Sequence, residues 1–219
     1  MVAFVNNRLP ANEHVGEALR RDVRVYPELA VRELLANALI HQDFTVTGAG
    51  PMVEIFADRL EVTNAGQPLV DTRRFVDHPP RSRNEALASL MRRMGVCEER
   101  GSGWDRIGFE IELHQLPAPQ IQVVDDNLKV ILFNQRPLTK MDKDDRIRAV
   151  YLPACLRYVS QQQTTNSSIR QRFSIPERNA ATATRLIADA VADHAIAPYD
   201  QNAGRRFMRY VPYWAETAG

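Results

Sequence analysis

Three short stretches of this 219-residue chain carry residue types that could do chemistry. The first spans 32–44, "RELLANALIHQDF", where Glu33, Asn37 and His41 recur every four residues and Asp43 follows. The second is Asn64-Ala65-Gly66 and the third Arg100-Gly101-Ser102-Gly103. A Gly-Ser-Gly that opens a helix can bring free backbone N–H groups close to phosphate oxygens. On a helix turning about 100° per residue, Asn37 lies about 40° and His41 about 80° from Glu33. Val31, Leu34, Leu35, Ala38 and Leu39 take the arc from about 100° to 240°, so the polar column borders the buried stripe. By itself the column also reads as a solvated flank, or as an Asn and a His held by local hydrogen bonds. Asn64-Ala65-Gly66 alone also reads as a simple turn, and Gly101–Gly103 as a hinge. Arg100 either meets a phosphate or covers a surface.

The elements that must position these groups follow from periodicity. A helix is expected over Tyr26–His41, with Pro27 in its first turn. Met52–Phe56 and Arg59–Thr63 alternate like half-buried strands around Ala57-Asp58. Val70–Arg81 is loop-like, and Asn84–Met94 forms a second helix with Gly95 as its stop. "ERGSGWDRIGFEIE" leads into a third helix ending near His114, and Ile121–Val124 pairs with Lys129–Phe133 as a hairpin. Residues 26–135 thus read as an α+β domain, a mainly antiparallel sheet covered by helices. Residues 1–25 have weak periodicity and read as a connecting segment, as if the chain were part of something larger.

A polar linker, 136–145, leads into a second domain, 146–219, whose first helix begins inside the linker near Asp142 and runs to Gln161. A short helix through Phe173, capped by Ser167 or Ser168, and a longer one over Asn179–His194 follow. Two short strands, Ile196–Tyr199 and Phe207–Val211, complete the order of a winged helix-turn-helix. In that arrangement the second helix of the turn enters the DNA major groove. Its non-core face offers Arg178, Asn179, Thr182 and Arg185, and Asn and Arg read adenine and guanine edges bidentately. Arg170 and Arg172 are placed to meet phosphates, with Arg205, Arg206 and Arg209 in or beside the wing. The competing reading is a solvated helix with scattered charge that mediates protein contacts. Trp104 and Trp214 read as packing residues.

Composition is compatible with both domains. Hydrophobic residues make up 44% and charged residues 25%, as in globular proteins. No apolar run is long enough to span a membrane, and the first residues lack a basic-then-apolar leader. Cys97 and Cys155 stand far apart without metal-ligand spacing and read as reduced cytoplasmic thiols. The net charge of +1 hides an asymmetry: from Met141 onward there are eleven Lys/Arg against eight Asp/Glu. These features set the expectation of a cytoplasmic, nucleoid-associated protein that binds double-stranded DNA, in no membrane, with a homodimer as a further expectation. No GxxxxGK[ST] stretch is present, which excludes a P-loop helicase.

Taken in order, the three segments resemble the nucleotide-binding boxes of the GHKL ATPase superfamily, which includes gyrase B, histidine kinases and MutL proteins. More closely, "ELLANALIHQDF", "VEIFADRLEVTNAGQPL", "SRNEALASLMRRMGVCEERGSGWDRI" and "YVPYWA" resemble a prokaryotic family of transcriptional regulators described as RecG-related and ATP-binding. The resemblance covers nearly the whole chain. It implies a GHKL (Bergerat-type) α/β sandwich followed by the winged helix, with ATP and magnesium as cofactors. It implies that Asn37 coordinates magnesium and that Glu33 polarises the attacking water, a general-base role a carboxylate can fill. Asn64 stands where an Asp usually accepts the adenine amino group; its amide oxygen accepts without charge. Pro68 replaces the usual second glycine after Gly66. Gly101, Ser102 and Gly103 would end the lid, and His41 and Asp43 belong to the closer family's pattern. The superfamily often adds a lysine from another segment, and Lys129 is the only one before Lys140. The closer family often carries an N-terminal AlbA-like or Schlafen-like domain, whose linker 1–25 would be. Three functions follow: a regulator whose nucleotide biases DNA binding, a weak ATPase, or a degenerate scaffold for protein interaction or dimerisation. The first requires a ligand with different affinity for two domain arrangements.

Overall fold

The apolar alternation over 52–65 and 120–133 builds a four-stranded antiparallel sheet in the computed structural model of the chain, which describes residues 4, 7, 11–15, 20–97, 103–204 and 207–215. The chain divides into two units, Met1–Gln135 and Arg136–Gly219. The first runs β1 (Ala11–Val15), β2 (Arg20–Arg24), α1 (Glu28–His41), β3 (Met52–Ile55), β4 (Arg59–Ala65), α2 (Glu85–Arg93), α3 (Gly103–Leu113), β5 (Gln120–Val124) and β6 (Asn127–Phe133). A short 3-10 turn, Thr72–Arg74, lies between β4 and α2. The main sheet has the order β3-β4-β6-β5, with every neighbour antiparallel. The expected α+β architecture is therefore present. β1 and β2 pair as a separate antiparallel ribbon, Ala11 opposite Arg24, where the sequence suggested only a connection.

Strand alternation decides what faces the helices. Leu60, Val62 and Asn64 of β4 share one face with Leu128, Val130 and Leu132 of β6, and α1 packs there. α1 is buried on more sides than its apolar stripe suggested. Ala30, Ala36 and Ile40 are enclosed together with Val31, Leu34, Leu35 and Ala38, because α1 also packs against α2 and α3. Ala36 and Ile40 meet Ala88 and Met91 of α2 in one apolar cluster. Small residues let those helix backbones approach, so the sequence shows little amphipathic contrast where the burial is greatest.

The second unit runs α4 (Lys143–Val159), α5 (Asn166–Arg172), α6 (Ala180–Ala192), β7 (Ile196–Pro198) and β8 (Tyr210–Pro212). β7 and β8 pair antiparallel, and Thr164 adds a single bridge to Tyr210. Ile147, Val150, Ile169, Leu186 and Ile187 form the centre of its core. α4 is capped by Asp142, whose Oδ1 accepts from the Asp145 N–H at 2.7 Å. The cap of α5 is Thr165 instead of either expected serine. Its hydroxyl accepts from the Ser168 N–H at 3.1 Å, and the Ser168 hydroxyl accepts from the Thr165 N–H at 2.9 Å, a reciprocal capping box. At the C-terminal end Trp214 Nε1 donates to the Tyr151 hydroxyl at 3.0 Å and its ring meets Tyr158 edge-on, so Trp214 is a packing residue.

Candidate functional site

α1, β4, β6, α2, α3 and the loop after β4 enclose a cavity of about 150 Å³ in the first unit. Glu33, Asn37 and His41 all reach its wall from α1. Asn64 and Gly66 reach it from the end of β4, and Gly103 from the start of α3. Residues far apart in sequence therefore meet around one space. The contact between the first and third stretches is direct. A Cβ built on Gly103 would lie 3.3 Å from Asn37 Nδ2 and 3.5 Å from Glu33 Oε2, so glycine is what lets α3 start against the polar column.

The column itself divides in two. Glu33 is only 3% exposed, and Arg32 Nη2 approaches its Oε1 at 3.4 Å. Asn37 Nδ2 is buried with no hydrogen-bond partner among the described residues. Such a group costs free energy unless something fills the space beside it. Asn64 is 5% exposed, and its Nδ2 donates to the Ala65 carbonyl at 3.2 Å. That contact fixes the amide orientation, leaving Oδ1 as an acceptor at the cavity.

The end of α1 is held by the residues after the column. Gln42 is 1% exposed; its Oε1 accepts from the Ala65 N–H at 3.1 Å, and its Nε2 donates to the Asp43 and Ala49 carbonyls at 3.2 and 3.1 Å. Asn84 Nδ2 donates to the Ile40 and Gln42 carbonyls at 2.9 and 2.7 Å, which ties the start of α2 to the end of α1. Arg83 Nε donates to the His41 carbonyl at 3.1 Å and its Nη2 to the Gln67 carbonyl at 2.7 Å. Gly66 adopts φ +115°, and a Cβ there would sit 3.0 Å from Arg83 Nε, so the turn demands glycine twice over.

Asp43 does not line the cavity. Its Oδ1 accepts from the Thr45 N–H and hydroxyl at 2.9 and 2.6 Å, which holds its pKa below the ordinary carboxylate value, and Arg83 Nη1 lies 3.6 Å from Oδ2. It stabilises the turn after α1. His41 does line the cavity, and burial followed by the nearby Arg83 guanidinium lowers its pKa, favouring the neutral ring. Arg100, Gly101 and Ser102 lie outside the described residues.

Lys129 lies opposite Thr63, on the sheet face away from the cavity, where its Nζ donates to Glu61 Oε2 at 2.6 Å. Among the described residues no lysine lines the cavity; Arg81 and Arg92 do. Neither arginine was singled out from the sequence, nor were Phe75 and His78 on the same wall. Trp104, expected as packing, also faces it, with its ring centroid 5.0 Å from that of Phe75. The stretch "SRNEALASLMRRM" was the available signal, since it supplies Arg83, Asn84 and Arg92 within one turn-and-helix unit. Among the described residues no three or more His, Cys, Asp or Glu side chains are grouped to hold a metal ion.

In the second unit Arg178, Asn179 and Arg185 are exposed at and along the start of α6, and Thr182 is half-buried beside them. Arg170 Nε donates to Asn166 Oδ1 at 3.1 Å, and the Arg172 guanidinium lies 5.2 Å from the Phe173 ring centre. Asn166 Nδ2 donates to the Ala180 carbonyl and the Thr184 hydroxyl at 3.1 and 3.0 Å, which sets α5 against the start of α6. Arg205 and Arg206 lie outside the described residues. No helix among the described residues is long and apolar enough to cross a membrane.

The first unit is thus an α+β domain with a cavity, lined by both polar and apolar side chains, between helices and an antiparallel sheet. Residues 48–132 match the model of a family described as "Putative ATP-dependent DNA helicase recG C-terminal". The RecG-related resemblance is borne out over that segment, which holds Asn64, Gly66 and Gly103 but not Glu33 or Asn37. The chain is also similar to the crystal structure of the DIP2311 protein from Corynebacterium diphtheriae, at 23% identity and a TM-score of 0.57. That likeness covers 84% of this chain but only 40% of the other, and it is a likeness of fold. No curated protein matches.

Proposed function

We propose that the chain is a transcriptional regulator in which a GHKL-like domain binds a nucleotide and a winged-helix domain binds double-stranded DNA. The observation that carries the nucleotide half is the meeting of Glu33, Asn37, Asn64, Gly66 and Gly103 around one cavity. The matched family's description names ATP and DNA, which agrees with this reading. Asn64 Oδ1 would accept from an exocyclic amino group of the base. Glu33 is the only carboxylate among the described residues on the wall, and Asn37 supplies a neutral oxygen beside it. That donor set suits a magnesium ion that arrives with phosphate and water oxygens, because magnesium retains several waters and needs few protein ligands. Bound there, magnesium would neutralise phosphate charge. Glu33 would then orient a water if the site turns ATP over, the weak ATPase being the second reading.

For the second unit, α4 to α6 followed by the β7–β8 pair, with Thr164 bridged to Tyr210, support the winged-helix reading. α6 would enter the major groove, with Arg178, Asn179 and Arg185 available to base edges and Arg170 to a phosphate. Calorimetric titration with ATP tests the nucleotide half. Magnesium should strengthen binding, and Asn37→Ala should remove that gain; a wild-type chain that binds no ATP at any magnesium level leaves the scaffold reading. For DNA, alanine at Arg178 and Arg185 together should weaken specific binding, and unchanged affinity would sink the placement of α6.

A further inference from the structure

We infer that Arg81 and Arg92 form a two-arginine clamp for the phosphates of a nucleoside di- or triphosphate, and that phosphate binding in this cavity therefore survives removal of magnesium. This rests on the nucleotide reading above. Both side chains line the cavity, Arg81 from the loop after Pro79-Pro80 and Arg92 from the last turn of α2. Neither has a hydrogen bond or ion pair among the described residues. Three arginines nearby differ: Arg32 meets Glu33, Arg74 meets Asp77, and Arg83 is committed to two carbonyls. Among the described residues, two guanidiniums without a partner thus line a half-enclosed space whose only carboxylate is Glu33. Arg92 is half-buried and Arg81 exposed, so water and dissolved anions screen Arg92 less than a cation on an open surface, and the pair favours an anionic ligand.

The class of anion follows from donor geometry. A guanidinium offers a planar fork of N–H donors that pairs bidentately with phosphate oxygens. Two of them suit two neighbouring phosphates better than one small anion. The unpartnered Asn37 Nδ2 adds a neutral donor on the same wall. With Lys129 bound to Glu61 on the opposite sheet face, the arginines are the cations available to the cavity among the described residues.

The test is calorimetry on the full chain with ATP, ADP, adenosine and inorganic pyrophosphate, each with magnesium and with a chelator. The wild type should bind ADP in the presence of chelator. Arg92→Ala and Arg81→Ala should each weaken ATP and ADP by about tenfold, the usual scale for a lost charge-assisted hydrogen bond, and leave adenosine unchanged. Arg93→Ala, next in the chain but not on the wall, should change nothing; circular dichroism checks that each variant is folded. If the Arg81→Ala/Arg92→Ala double variant binds ATP as the wild type does, or if chelator abolishes all wild-type binding, the clamp is overturned and the nucleotide reading stands. If the wild type binds none of the four ligands, the nucleotide reading falls and takes the clamp with it.

Discussion

Two neighbouring regions of the first unit treat their polar groups in opposite ways. At the junction between the end of α1 and the end of β4, three polar side chains are all engaged: Gln42 serves three backbone groups, Asn84 two carbonyls, and Arg83 two carbonyls and the Asp43 carboxylate. On the cavity wall, Asn37 Nδ2 is buried and, among the described residues, neither it nor Arg81 nor Arg92 has a partner. The junction spends its hydrogen bonds on the fold. The wall withholds them, at a cost to stability, as expected of groups that await a ligand. The contrast can be broken by measuring stability and ligand binding separately for substitutions in each region.

The largest effect belongs to Gln42→Leu. It leaves the buried Ala65 N–H without its acceptor and two carbonyls without their donor, and should destabilise the first unit by about 3 kcal/mol. Denaturant unfolding followed through Trp104, in a Trp214→Phe background that silences the other unit, reads this directly. A loss below about 1 kcal/mol would mean that water replaces the side chain and that the junction is not as dry as it looks.

A smaller, pH-dependent effect comes from His41, which sits where the two regions meet. Burial, then Arg83, lowers its pKa in the folded chain. Above the ordinary value near 6.5 the ring is neutral in both states and pH has no effect through it. As pH falls through that value the unfolded chain takes the proton first, so stability declines below about 6.5 and continues to decline until the folded pKa is passed. Asp43, also lowered in the fold, adds its own loss only at more acidic pH. His41→Gln should therefore flatten the decline in urea midpoint between about pH 7 and 5. An unchanged decline would place the proton elsewhere.

What the sequence revealed and hid follows the same division. The elements were legible because their apolar periodicity is strong: α1, α2, α3 and both strand pairs stand within a few residues of expectation. Glu33, Asn37, His41, Asn64, Gly66 and Gly103 were legible as spaced types and do share a wall. Asp43 stands apart because adjacency along a chain does not fix direction; past the end of α1 its side chain turns to Thr45. Arg81 and Arg92 were hidden for a different reason. In "HPPRSRNEALASLMRR" four arginines look alike as charge, and only packing separates the committed Arg83 from Arg81 and Arg92, which have no partner among the described residues. The β1–β2 ribbon was missed because short strands at 11–24 lack an apolar alternation to betray them.

The smallest expected effect on stability is at Asn37, and it is the one that bears most on the contrast. Asn37→Ala removes a buried amide whose nitrogen makes no hydrogen bond among the described residues, so little favourable energy is lost. The helix gains, since alanine is the better helix former by about half a kcal/mol. The two terms place the stability change within about 0.5 kcal/mol of zero, against the loss of about 3 kcal/mol at Gln42. Yet the same substitution should remove the gain that magnesium gives to ATP binding. A stability loss near 2 kcal/mol would put Asn37 with Gln42, as a group that holds the fold, and the opposition between junction and wall would fail at its sharpest point.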